Sequence, residues 1–169
     1  MSDFNLRAEQ APLKTEYEQH PEAAKITLTA TGAAESDVRT CSVDIGRAIY
    51  EAELHEGAGG PGAGACSGDL LLGALAACAQ LTAQAVVENF DIEVDVSVEA
   101  RGDLDLRGTL GVDRGARVGF EDIHLDVAVA GELDEETREA LQKVTERYCV
   151  VYQTLENPPV IETTWTFQS

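Results

Sequence analysis

Four cysteines are the side chains in this sequence best suited to covalent chemistry: Cys41, Cys66, Cys78 and Cys149. A cysteine thiolate can attack an electrophile, be oxidised in steps or bind a metal. No Cys-x-x-Cys pair occurs, and the three histidines lie at no recognised ligand spacing from a cysteine. The sequence therefore predicts no metal site and no cofactor. Two interpretations of the cysteines stay open, as small buried hydrophobic residues or as redox groups.

Cys78 lies in the apolar segment from Leu70 to Val87, which is rich in strong helix formers. A helix that is apolar on nearly every face is expected to be buried. Cys78 is about nine residues into this helix, beyond the first turn in which the helix dipole acts. An apolar environment raises the pKa of a thiol, so Cys78 is reactive only if a cation lies near it. Packing alone favours a structural role for this residue.

The candidate cations are few. Arg39 and Arg47 lie on predicted N-terminal strands, and Arg147 precedes Cys149 by two positions. Each is also compatible with a solvated surface charge. Asp69 is a candidate partner that orients an arginine, but it precedes Cys78 by about 900° of helical rotation and faces the opposite side. A favourable charge in the first turn of the helix is an equally good explanation of Asp69.

The two remaining cysteines are weaker candidates for a reactive role. Cys66 and Cys78 would be about 18 Å apart along the helix axis, so they should not pair within one subunit. Cys66 is expected at the edge of the pocket or in packing, and Cys41 in a strand core. His55 and Glu56 border a glycine-rich loop and could line its entrance.

The charge balance limits the partners. Thirty-one acidic residues face twelve basic ones, for a formal net charge of −19. Nucleic acid and anionic membranes are bound by clustered Lys and Arg, so both are poor partners. Such self-repulsion is tolerated best in a salt-rich cytoplasm, where ions screen it. The N-terminus lacks a secretory pattern, and the longest apolar run is shorter than the roughly 20 residues that span a bilayer. We therefore expect a soluble, cytoplasmic protein.

Hydrophobic periodicity predicts an α+β fold in one domain covering residues 1–169. Residues 1–22 are polar and are predicted to form a loose lead-in. Alternating segments at 24–32, 38–46 and 48–56 predict an antiparallel meander. The long helix follows, then strands at 92–106 and 123–131, a helix from Asp134 and a final strand at 160–168. In the second helix, an inward stripe is predicted that runs from Leu133 to Tyr148 at three- and four-residue spacings. Cys149 lies where this stripe ends.

Two segments carry a family resemblance. CSGDLLLGALAACAQLT, residues 66–82, resembles the first cysteine motif of the OsmC/Ohr family, and ERYCVVYQTLENPPV, residues 146–160, resembles its second. The glycine-rich loop and the stretch between the motifs are also similar, so the resemblance covers roughly residues 24–168 in a consistent order. It implies an intertwined homodimer, in which curved antiparallel sheets wrap two buried helices of each subunit. The reactive cysteines would lie near the subunit boundary.

The resemblance also implies chemistry. Cys78 would attack an organic hydroperoxide, Cys149 would resolve the product as a disulfide, and an external dithiol would reduce it. Three departures from the reductase pattern weaken this reading. Ser67-Gly68-Asp69 stands where the reductases carry Pro-Glu, Val150 follows Cys149 in place of proline, and Cys66 is additional. The alternatives are a non-enzymatic stress or small-molecule-binding dimer and a purely structural dimer module.

Overall fold

The computed structural model describes residues 5–167 and has an α+β architecture with two separate antiparallel sheets. The helices are α1 (Leu6–Gln19), α2 (Ser67–Phe90), α3 (Leu106–Thr109), α4 (Glu135–Tyr148) and α5 (Val150–Glu156). The strands are β1 (Thr31–Ala34), β2 (Thr40–Asp44), β3 (Ile49–Glu53), β4 (Asp95–Leu104) and β5 (Phe120–Ala130). Single 3₁₀ turns lie at Pro21–Ala24 and Glu56–Ala58. The predicted fold class is confirmed.

The N-terminal sheet is the meander expected from the alternating sequence. β1 pairs with β2, and β2 pairs with β3, all antiparallel. A bridge between Glu53 and Cys66 ties the sheet to the start of α2. Most of this sheet is exposed, because α2 packs mainly on β4, α4 and α5 instead. The sheet is therefore held to the rest of the chain at one edge.

The core lies between α2, α4 and the two-stranded sheet. α2 contributes Leu75, Ala79, Ala83 and Val86 to it, all on one face of the helix. β4 and β5 form a long antiparallel ladder, and Gln80 Nε2 donates to the Val96 carbonyl oxygen at 2.9 Å. α4 begins with Asp134, whose carboxylate accepts from the Thr137 N–H at 2.7 Å. This side-chain cap confirms the predicted helix start.

Three details of the chain differ from the sequence-based expectations. The prediction of a loose lead-in is wrong for Leu6–Gln19, because this segment forms α1 and is capped by the Asn5 side chain. The first strand begins only at Thr31, and residues 25–30 pair with no strand within residues 5–167. Residues 157–167 are also unpaired, where a final strand was predicted, and Gln168 lies outside the described residues. Alternation predicts that a segment can form a strand, but a strand also needs a neighbouring edge to bond to.

α2 is longer than the apolar run in the sequence suggested. It has 24 residues, and an 18-residue window within it has a mean hydropathy of 1.8, enough by length and composition alone to cross a membrane. A helix at the centre of a soluble core passes the same test, and one face of α2 lies in the core of this fold. The composition of α2 is therefore weak evidence for a membrane location.

Candidate functional site

Cys149 lies at the junction of α4 and α5 and is 1% exposed. Its extended backbone, with φ −73° and ψ 105°, separates the two helices by a single residue. The Cys149 N–H donates to the Thr145 carbonyl oxygen at 3.0 Å, and its own carbonyl oxygen accepts from the Gln153 N–H at 2.9 Å. Both helices therefore fix the position of this thiol.

The fold brings Cys78 next to Cys149, although 71 positions separate them in the sequence. Burial raises the pKa of the Cys149 thiol, and the neighbouring Cys78 thiol raises it further. The backbone N–H groups of Tyr152 and Val151 act in the opposite direction on this pKa. Cys78 is half-buried on α2, and both thiols are free. The thiol group that is easier to reach from outside is thus the one on α2.

A cleft of about 1020 Å³ opens beside Cys149 between α2, β5, α4 and α5. Its walls combine apolar side chains, which include Leu75, Ile123, Leu125 and Leu141, with several charged ones. Cys149 lines the cleft, whereas Cys78 does not. Ligand sites in proteins are typically concave, and this cleft is concave but more polar than most of them.

Within residues 5–167, the arginines proposed from the sequence contact other groups or are exposed. Arg39 forms an ion pair with Asp37, with Nη2 and Oδ2 2.6 Å apart, and the guanidinium lowers the pKa of Asp37 to about 2. Arg47 is exposed in the turn between β2 and β3. The Arg147 guanidinium lies 5.6 Å from the ring centroid of Tyr148. The arginines that line the cleft are instead Arg117 and Arg138, which sequence reasoning missed.

Asp69 and Cys66 form the start of α2. The Asp69 carboxylate accepts the Cys66 N–H at 2.8 Å. The backbone N–H and then the thiol of Cys66 lower the pKa of Asp69. The structure thus places Asp69 in a helix cap at the first turn of α2 and, within residues 5–167, not beside an arginine that it could orient. Cys66 is buried at the N-cap position.

Gly68 lies in the Ser67-Gly68-Asp69 stretch at the start of α2. A Cβ at this position would lie 3.3 Å from Phe120 Cζ and 3.4 Å from Cys66 Sγ. Such contacts are tighter than ordinary side-chain packing, so the neighbours would have to move. Phe120 and Cys66 therefore leave little room for a side chain at position 68.

The inward face of α4 differs in part from the predicted stripe. Leu141 and Thr145 are its buried residues, and they continue to Cys149 at four-residue spacing. Tyr148, predicted to face inward, is 62% exposed. Thr145 was missed because threonine is polar. The spacing Leu141–Thr145–Cys149 was the signal that could have identified it.

The α+β fold thus brings together two thiols, one on the central helix α2 and one at the end of α4. The sequence profile of the OsmC-like protein family matches residues 60–164, which include both cysteines. The chain therefore belongs to the OsmC-like family, whose members are typically soluble. A comparison with curated proteins finds no match.

Solved structures share the fold at low sequence identity. The OsmC-like protein from Mycoplasma pneumoniae is 15% identical with a TM-score of 0.64, covering 79% of this chain and 90% of that one. An organic hydroperoxide resistance protein from Elizabethkingia anophelis is 18% identical with a TM-score of 0.62, covering 79% and 91%. The organic hydroperoxide resistance protein OhrB of Bacillus subtilis is 20% identical with a TM-score of 0.52, covering 79% and 93%.

Proposed function

We propose that this protein is a thiol-dependent peroxidase that reduces organic hydroperoxides in defence against oxidative stress. The observation that carries this proposal is the meeting of Cys78 and Cys149 in the folded chain. Two thiols from distant parts of a sequence can form and break a disulfide only if the fold holds them together. The names of two solved structures with this fold, which refer to organic hydroperoxide resistance, agree with it.

The proposed cycle uses three steps. The Cys78 thiolate attacks the peroxide oxygen, which forms an S–O bond, breaks the O–O bond and releases an alcohol after protonation. The Cys149 thiolate then attacks the Cys78 sulfur, so that an S–S bond forms and water leaves. An external dithiol reduces the disulfide by two thiol exchanges and is itself oxidised. A cytoplasmic location, where dithiols are kept reduced, is part of this proposal.

The different burial of the two thiols supports this division of roles. Cys78 is half-buried and Cys149 is buried. The peroxidatic sulfur must meet a substrate from solution, whereas the resolving sulfur needs to meet only its partner. Cys78 also needs a cation to form a thiolate, because it lies beyond the reach of the helix dipole. We place this cation on the N-terminal sheet, at Arg39 or Arg47, reaching Cys78 across a subunit boundary.

A homodimer belongs to the same proposal. The chain exposes 13279 Å², whereas a closed monomer of this mass exposes about 8,100 Å². This excess is about 5,200 Å² per chain, which is more than enough for the surface that each subunit of an obligate dimer buries. The exposed face of α2 is apolar and includes Ala74, Ala77 and Leu81, and the N-terminal sheet lacks a covering layer. A second subunit that packs on these surfaces would complete the core.

A non-enzymatic binding protein is the second candidate, and the cleft favours it. The cleft is large and has both apolar and charged walls, and Cys78 does not line it. A protein of this type would hold an apolar molecule in the cleft, and its cysteines would not catalyse peroxide reduction.

Peroxide consumption separates the two functions. The wild-type protein with dithiothreitol is expected to consume cumene hydroperoxide or tert-butyl hydroperoxide over many turnovers. Cys78→Ser should abolish this turnover, while the matched control Cys41→Ser, in β2 of the N-terminal sheet, should retain it. If the wild-type protein consumes no hydroperoxide beyond the dithiothreitol blank, the peroxidase proposal fails and the binding protein takes its place.

A further inference from the structure

The buried hydroxyl of Thr145 is the polar group that the proposed cycle leaves unexplained. Thr145 is 6% exposed. Its Oγ1 has no hydrogen-bond partner among residues 5–167. A buried hydroxyl without a partner costs free energy, because folding removes its bonds to water. A second state of the site in which this hydroxyl is bonded would explain why threonine stands here.

Other helical threonines show what Thr145 does not do. The Oγ1 atoms of Thr15, Thr82 and Thr154 each donate to the carbonyl oxygen four residues earlier, at 3.2, 2.8 and 2.8 Å. This bond is the usual way in which a threonine inside a helix satisfies its hydroxyl. Thr145 lies in the same setting in α4 and does not make the bond. Its hydroxyl is therefore turned away from its own backbone.

Cys149 is the reactive group nearest to Thr145 along this face. The two residues are one helical turn apart, and the Cys149 N–H donates to the Thr145 carbonyl oxygen at 3.0 Å. Side chains at this spacing have Cβ atoms about 5–6 Å apart, so a hydroxyl can reach the sulfur. Both side chains are buried and both line the cleft.

We propose that Thr145 Oγ1 donates a hydrogen bond to the Cys149 thiolate when that thiolate attacks oxidised Cys78. The inference rests on the proposed function, in which Cys149 acts as the resolving nucleophile. The structure shows no bond between the hydroxyl and the Cys149 sulfur, so the hydroxyl must rotate toward the sulfur when the thiolate, a charged and stronger acceptor than the thiol, forms. The hydroxyl thus stabilises the form that reacts. As the S–S bond forms, the Cys78 S–O bond breaks and hydroxide leaves as water after taking a proton.

The other groups around this sulfur come from α2, from α5 and from the lining of the cleft. Cys78 is its titratable neighbour on α2, and the backbone N–H groups of Val151 and Tyr152 face it from α5. The charged side chains that line the same cleft are Arg138, Glu146, Glu156, Arg117, Glu121 and Asp122. The thiolate therefore has backbone donors on one side, and Thr145 supplies a side-chain donor from the preceding turn.

The test is the titration of Cys149 in the reduced full-length protein, followed through its ¹³Cβ chemical shift, which does not require the thiol to be accessible. Thr145→Val keeps the shape and removes the hydroxyl. It should raise the pKa of Cys149 by about one unit, a tenfold loss of thiolate at a given pH. Thr145→Ser should titrate like the wild-type protein. Thr82→Val is the matched control on α2 and should leave this pKa unchanged.

Stability provides a second readout. In the thiol state the Thr145 hydroxyl has no partner, so Thr145→Val should melt at the wild-type temperature or above it at pH 7. A clear fall in melting temperature, or a Cys149 titration equal to wild type, would overturn the inference. If Thr145→Val does not fold, the Ser and Ala variants replace it, with Ala expected to titrate about one unit higher than Ser. No peroxide enters these measurements, so their failure is distinct from failure of the peroxidase proposal.

Discussion

Two parts of the molecule have similar alternating or periodic apolar patterns but differ in how well they are packed. One part is residues 66–156, and the other consists of the two extended segments at 25–30 and 157–167. The first region packs α2 against β4, α4 and α5 and contains most of the buried residues. The extended segments leave their apolar side chains in solvent: Ile26 is 78% exposed, Leu28 85% and Trp165 78%. Alternation alone does not bury a residue. A segment that reads as a strand but has no partner in its own chain is a candidate for pairing with another chain.

The largest expected effect comes from disrupting the packing of the C-terminal segment, residues 157–167, on a second subunit. Trp165 stacks on Phe167, with ring centroids 6.4 Å apart, on one side of this segment. If the segment packs on a second subunit, Trp165→Asp should weaken the dimer by on the order of 2 kcal/mol, or roughly 30-fold in the dissociation constant. Analytical ultracentrifugation over a dilution series measures this constant.

Thr164→Asp is the matched control for this change. Thr164 is adjacent in sequence and points to the other side of an extended segment. The same added charge there should leave the dimer intact. Equal effects of the two substitutions, or a wild-type protein that is a stable monomer at micromolar concentration, would contradict the dimer proposal.

A smaller effect is expected from salt, and it concerns both regions. The excess of acidic over basic residues, 31 against 12, makes the folded chain repel itself. Potassium chloride shortens the screening length from about 10 Å at 0.1 M to about 3 Å at 1 M. The melting temperature should therefore rise by several degrees between 0.1 and 3 M. A flat or falling trend would remove the expectation of a salt-rich cytoplasm.

The smallest effect concerns the cap that starts the packed region. Hydrogen bonds from Cys66 lower the pKa of Asp69 in the folded protein. This carboxylate therefore contributes stability above its unfolded pKa of about 3.9, and the contribution is lost as the pH falls through the lowered folded value. Asp69→Asn should make the melting temperature depend less on pH in this range and should leave peroxide turnover unchanged. Loss of turnover at neutral pH with an unchanged melting temperature would instead indicate that Asp69 orients a catalytic cation.

Local signals were sufficient for the parts of the fold that depend on local chemistry. Asp134 and its acidic first turn predicted the start of α4, and the apolar run predicted α2. The short helix after Cys149 was not predicted, because Val150 and Val151 favour strands by propensity. The final strand was predicted from alternation, but its partner edge is a tertiary property. α1 was missed because its polar sequence has no apolar stripe, and it is exposed in the structure.

The candidate site divides in the same way. The cysteine motifs identified Cys78 and Cys149, and the fold places these two side by side. Spacing on one helix could not show which arginines share a cleft with Cys149, since Arg117 and Arg138 come from different elements. It also could not show that the Thr145 hydroxyl lacks a partner, because this depends on the side-chain rotamer.

The pairing of the two cysteines is tested most directly by mapping the bond that peroxide creates. The fully reduced protein receives one equivalent of cumene hydroperoxide, free thiols are blocked, and the peptides are analysed by mass spectrometry. We predict a disulfide between Cys78 and Cys149, and in Cys149→Ser a sulfenic or sulfinic acid on Cys78. A disulfide that joins Cys66 to Cys149, or oxidation that spares Cys78, would contradict the assignment of roles.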